Sequence, residues 1–175
     1  MPIPSKAVVY NQPTADLGSA GYVLVVDDEA DIRNLIGRVL RESGYEVLLA
    51  TDGEDALFQL ALGEPVRLVI CNLRMPRVNG QSLYYYVLQS CPELAERFVF
   101  CSGDLVSEES RAFLEEVGRP CLAKPFELDA LNAIVQQFDG QPVVRLDTAS
   151  TRRLMAALYR DANAFWPARR LYASV

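Results

Sequence analysis

The chain has 175 residues, about the length of one domain, and half of it is hydrophobic, which excludes wholesale disorder; no apolar run reaches the roughly 20 residues that span a bilayer. It contains no histidine, which excludes His-based acid–base catalysis, Ser-His-Asp triads and His-containing zinc sites. The net charge of −6 divides unevenly: residues 1–139 hold 11 basic and 21 acidic side chains and residues 140–175 hold 6 and 2, so an acidic body that repels nucleic acid carries a basic tail.

Residues 1–20 hold prolines at 2, 4 and 13 and Gly18-Ser-Ala-Gly21 before the first regular pattern, and read as a flexible arm. The start lacks a basic stretch followed by an apolar one, so no secretory leader is expected and the location is expected to be cytoplasmic. From Tyr22, residues 22–26 are an unbroken apolar run, the pattern of a parallel strand covered on both faces. Ile32, Leu35, Ile36, Val39 and Leu40 then follow helical spacing, closed by Gly44. Strands are predicted at 45–50, 66–71, 98–101 and 121–123. Helices are predicted at 54–62, 81–90, 107–117 and 128–138, the fourth with Ser107 as N-cap and acids in its first turn. A β-α unit repeated five times requires parallel strands and right-handed crossovers. The expected fold is therefore an α/β, doubly wound parallel sheet over residues 21–139, with its ligand site at the carboxyl ends of the strands.

Four strand ends carry polar residues. Strand one ends in Asp27-Asp28-Glu29, strand three in Asn72, and strands four and five in Ser102 and Lys124-Pro125. Adjacent carboxylates repel unless a cation lies between them. Magnesium suits such a pair, because it takes oxygen ligands and keeps several waters. The plainer alternative is that Asp28 or Glu29 caps the following helix. Lys124 is one of two lysines against fifteen arginines. A compact point charge after a buried strand fits a role beside the acids, and a surface lysine is the alternative.

Taken together, these segments resemble the receiver domain of two-component response regulators. The resemblance rests on Val-Leu-Val-Val-Asp-Asp-Glu at 23–29, Leu-Arg-Met-Pro-Arg-Val-Asn-Gly at 73–80, Phe-Cys-Ser-Gly-Asp at 100–104 and Leu-Ala-Lys-Pro-Phe at 122–126, and it spans about two-thirds of the chain. It implies the flavodoxin-like (βα)5 sheet with strand order 2-1-3-4-5. It also implies Mg2+ as cofactor, held by Asp27, Asp28, the residue-72 side chain and the Arg74 backbone carbonyl. Ser102 and Lys124 would contact the phosphoryl group, and Pro125 would hold the family's cis-proline position. A histidine kinase or phosphotransfer protein is the implied donor. A downstream protein would read the face formed by the fourth helix, fifth strand and fifth helix. No enzymatic activity of its own is expected.

The acceptor position holds Asn72. A neutral amide cannot serve as the carboxylate nucleophile, although its carbonyl can still face a weakened magnesium site. Cys121 stands where the family usually has an aromatic switch residue, and Asn79 stands where an acid is commoner. Two readings follow: a pseudo-receiver that acts without phosphorylation through protein contacts, or an ordinary Mg-dependent acceptor seen as an Asp→Asn variant.

Three features lie outside the resemblance. Cys71, Cys101 and Cys121 fall on three neighbouring strands, either as small buried residues or as a redox or soft-metal group. Tyr84-Tyr-Tyr86 cannot all face the core, so at least one is expected on the surface. In the 140–175 extension, Leu154, Met155, Leu158, Ala162, Phe165 and Trp166 form a helical stripe with Thr148 or Ser150 as N-cap. Arg152, Arg153 and Arg160 lie off that stripe. The basic amphipathic helix either packs on the acidic body or serves a homodimer, partner or membrane-surface contact. DNA is not an expected partner.

Overall fold

A computed structural model describes residues 21–165, with side chains described through residue 160. The expected arm at 1–20 and the stripe positions Ala162, Phe165 and Trp166 lie outside those described side chains. Twelve elements follow in order: β1 (Tyr22–Val26), α1 (Ala30–Glu42), β2 (Val47–Ala50), α2 (Gly53–Ala61), β3 (Val66–Asn72), α3 (Gly80–Ser90), α4 (Pro92–Ala95), β4 (Phe98–Ser102), α5 (Glu108–Val117), β5 (Cys121–Ala123), α6 (Leu128–Gln136) and α7 (Thr148–Phe165). Every strand pair in the sheet is parallel and the order is β2-β1-β3-β4-β5. This is the flavodoxin-like, doubly wound fold, with a C-terminal helix added.

The apolar runs are continuous because each strand is buried on both faces. Leu24 and Val26 point into one core with Leu57, Leu60, Val69, Leu83, Val87 and Phe113, under α2, α3 and α5. Val23 and Val25 point into the other with Ile36, Leu40, Ile70, Leu131 and Val135, under α1 and α6. The order reverses between β1 and β3, so the carboxyl ends of these two strands open the crevice where such folds place their ligands.

Helix ends follow local chemistry. Asp52, Asn79 and Ser107 each accept the backbone N–H three residues ahead, capping α2, α3 and α5. Gly118, left-handed at φ 62°, closes α5. The α7 cap is Asp147, whose Oδ1 accepts from Ser150 N at 2.6 Å, rather than Thr148 or Ser150. The short α4, which the 3.6-residue pattern did not reveal, begins at Pro92, where proline's missing N–H costs nothing.

The chain beyond α6 returns to the sheet. Val144 forms an antiparallel bridge with Val66 at the start of β3. Leu146 and Leu154 join the first core, and α7 lies against α2 and α3. Arg153, placed off the apolar stripe, turns inward: its Nη2 donates to Ser90 O and Ser150 Oγ, both at 3.0 Å. Of the three tyrosines, Tyr84 is buried, and Tyr85 and Tyr86 are half-buried rather than exposed. Tyr84 stacks edge-on against Phe98, Phe100 and Phe113. No helix among the described residues is long and apolar enough to cross a membrane.

Candidate functional site

The polar residues at the carboxyl ends converge because the parallel sheet brings four strand ends to one edge. Asp27 follows β1 and is 1% exposed. Its carboxylate has two internal donors: Oδ1 accepts from Glu29 N at 2.9 Å, and Oδ2 accepts from Lys124 Nζ at 2.7 Å. Its carbonyl accepts from Arg33 Nη1 at 2.7 Å. Lys124 is aimed there by the β4–β5 ladder, where its N–H donates to Ser102 O at 2.8 Å, and its Nζ also reaches Glu29 Oε1 at 3.3 Å. Burial alone would lower the Lys124 pKa, but the hydrogen bonds and charges of Asp27 and Glu29 outweigh it and hold the ammonium above its ordinary value. The Lys124–Pro125 bond is cis.

Glu29 is the N-cap residue of α1 by position, yet its side chain makes no cap hydrogen bond and faces Lys124 instead. Glu29 thus caps α1 by position and through its carbonyl, which accepts from Arg33 N at 2.9 Å, and not through its side chain.

Asn72, the last residue of β3, is 7% exposed. Its Nδ2 donates to Asp28 Oδ1 at 3.0 Å and to Arg74 O at 2.8 Å. Gly80 permits this approach of α3 to the strand end, because a Cβ there would meet the Asn72 carbonyl oxygen. Asp28 itself is exposed.

Ser102 is buried and held within its own loop. Its hydroxyl donates to Asp104 O at 3.1 Å and accepts from Asp104 N at 3.0 Å. Asp104 in turn accepts from Arg74 Nη2 at 2.8 Å. Hydrogen bonding from Ser107 N–H, beside the Arg74 charge, holds its carboxyl below the usual value. On the other flank Arg77, at φ 64°, pairs with the buried Asp52, and Gly53 N donates to Val78 O at 3.0 Å.

Asp27 and Lys124 thus form one hydrogen-bonded group, and Asp28, Asn72 and Arg74 form a second, side by side through the adjacent residues 27 and 28. Ser102 sits beside the first group through its backbone, and Cys121 lies apart, opposite Phe100 in the β4–β5 register and packed on the first core. Burial, with Cys101 and Asp27 nearby, pushes the Cys71 thiol well up. Burial likewise lifts Cys101 to about 12 and Cys121 to about 11. Cys71 lies in the first core, Cys101 in the second, and Cys121 packs against the first, which fits the packing reading of these residues. Glu29, Arg33, Asp104 and Arg77 were not singled out as site residues in the sequence. Glu29 left a trace there as the third acid in a row, and Arg77 and Asp104 fell inside the segments that carry the resemblance.

The donor set does not fit a ready magnesium cage. Three oxygen groups that the resemblance assigns to the metal, from Asp27, Asp28 and Arg74, already accept hydrogen bonds from nitrogens of Lys124 and Asn72. Among the described residues, no three acidic or cysteine side chains form a metal-holding group.

Comparison with known proteins identifies the family and the fold. The sequence model of the response regulator receiver domain matches residues 23–136. The sensor histidine kinase RcsC of Salmonella typhi is 33% identical over 127 residues, covering 73% of this chain and 13% of the kinase. A probable transcriptional regulatory protein of Picosynechococcus is 35% identical over 126 residues, covering 68% of this chain and 49% of that protein. The chain therefore spans less than half of the length of these curated relatives. Among solved structures, the chemotaxis protein CheY4 of Vibrio cholerae superposes with a TM-score of 0.60 at 28% identity, covering 69% of this chain and 99% of that one.

Proposed function

The chain belongs to the response-regulator receiver family of two-component signalling, and from that membership we propose that it is a pseudo-receiver, a module that signals by protein contact without taking a phosphoryl group. The observation that carries this reading is the carboxamide of Asn72 at the end of β3, hydrogen-bonded to Asp28 and to the Arg74 carbonyl.

The chemistry of the acceptor position supports it. Phosphoryl transfer from a phosphohistidine needs an oxygen nucleophile to form the new P–O bond as the P–N bond breaks. An ionised carboxylate supplies that electron pair. An amide's lone pair is delocalised, and its NH2 here faces Asp28 and the Arg74 carbonyl, so the acceptor position presents donors rather than a nucleophile. The remaining groups keep their places: Lys124 holds a cation beside Asp27, and Ser102 keeps a hydroxyl at the end of β4.

The contact surface in this reading is the face of α5, β5 and α6, with a kinase or phosphotransfer protein as upstream partner and residues 140–175 as an extension of the receiver at 21–139. Magnesium binds such a site more weakly than it would a three-carboxylate one, since one ligand charge is missing. The work is done inside the cell. The preserved Asp27–Lys124 pair favours a second reading as well, an ordinary magnesium-dependent acceptor in which position 72 has changed from Asp to Asn.

Both readings predict the same behaviour for the chain as it stands. Incubated with a small phosphodonor and magnesium, it shows no mass increase of one phosphoryl group. Uptake by Asn72→Asp supports the second reading, and no uptake by either protein supports the first. Uptake by the unaltered chain overturns both.

A further inference from the structure

We infer that the Asn72 carboxamide takes the place of a divalent cation in this site, tying the acidic end of β1 to the β3–α3 loop so that the polar edge of the sheet holds its shape without metal. This rests on the reading of residue 72 as the acceptor position.

Hydrogen-bond chemistry fixes the orientation of the amide. Asp28 Oδ1 and Arg74 O are acceptors only, and both lie within 3.0 Å of the same nitrogen. Only the NH2 end can face them, and its two protons serve the two oxygens. Those oxygens belong to the acid pair and to the loop carbonyl, the groups a bridging cation would draw together. The other acid, Asp27, is matched by Lys124 and Glu29 N. Each carboxylate of the pair thus has its own internal donor, and the repulsion that would call in a metal is offset.

The same bond anchors a loop that is fastened on both flanks. Arg74 donates to Asp104 Oδ2 at 2.8 Å and to Ser107 Oγ at 3.1 Å, joining the loop to the start of α5. Arg77 pairs with Asp52, and Gly53 N reaches Val78 O, joining it to the start of α2. A cation between Asp28 and Arg74 O would have to displace Nδ2, turn the amide over and give up both hydrogen bonds. Asp at position 72 would remove both donors and add a third carboxylate, leaving the cluster dependent on a cation.

Thermal unfolding of the full chain in EDTA, and then in about 10 mM magnesium, tests this. The unaltered chain should move by less than about 1 °C. Asn72→Asp should melt lower in EDTA and recover by roughly 3–10 °C with magnesium, the range expected for a millimolar or tighter site in a domain this size. Asn72→Ala should melt lower in EDTA and gain nothing from magnesium. A magnesium shift of the unaltered chain as large as that of Asn72→Asp overturns the inference, as does equal stability of all three proteins in EDTA. Phosphoryl uptake is read separately by mass. In the unaltered chain, a magnesium response without uptake sinks this inference alone, and uptake without a magnesium response sinks the functional reading alone.

Discussion

Lys124 and Asp27 meet at 2.7 Å across 97 residues of sequence, one from the end of β5 and the other from the end of β1. The carboxylate is 2% exposed and the lysine 12%. Removing one partner of such a pair leaves a buried charge unmatched, which costs about 3–5 kcal/mol. Lys124→Met should therefore lower the stability measured by chemical denaturation by about that amount. The double variant Asp27→Asn/Lys124→Met should lose much less than the sum of the two single changes, because it removes the unmatched charge along with its partner.

The same pair sets an alkaline limit. The Lys124 pKa is raised above its ordinary 10.5 in the folded state. Its contribution is complete below that value and disappears as pH climbs through the raised, folded-state pKa. Stability against pH should fall on the alkaline side above about 10.5, and Lys124→Met should flatten that arm.

On the acid side the sign reverses. The Ser107 backbone N–H holds Asp104 below its usual pKa, and the Ser150 backbone N–H does so for Asp147 at the cap of α7. Both contributions are present above the ordinary value of 3.8 and are lost as pH falls through the depressed ones. Asn also caps helices well. Asp104→Asn and Asp147→Asn should leave the neutral-pH melting temperature nearly unchanged and make its decline below about pH 4 shallower.

The C-terminal helix is part of the core rather than an appendage. Leu154 is fully buried, whereas Tyr159 on the same helix is 59% exposed. Leu154→Ala should cost about 2–5 kcal/mol, and Tyr159→Ala should stay within about 0.5 kcal/mol of the parent. Equal effects would show that α7 does not pack as described.

Gly80 has no room for a methyl group against the Asn72 backbone. Gly80→Ala should destabilise the protein by about 1–3 kcal/mol, the usual cost of overpacking, and should shift the backbone resonances of residues 72–74.

Much of this was legible in the sequence. The unbroken apolar runs at β1 and β4, with helical spacing between them, dictated parallel strands, and the strand ends then fixed which polar residues meet. Other features were set by tertiary contacts that periodicity does not carry. Tyr45 reads as strand, but its N–H donates to Leu40 O to close α1 and its hydroxyl reaches Asp139, so β2 begins at Val47. Arg153 looks like a solvent-facing charge, and it turns inward because the carbonyl of Ser90 at the end of α3 needs a donor. The direction of the Asn72 amide depends on where the Arg74 carbonyl points, which is a property of the folded loop.

The central claim is that residue 72 offers no nucleophile and that the contact face is set without phosphorylation. Beryllofluoride with magnesium mimics a phosphoryl group only where a carboxylate can bond to it. Titrated into the unaltered chain, it should leave the amide resonances of Ser102, Lys124 and α5 in place. Movement of those resonances in the unaltered chain would contradict the account.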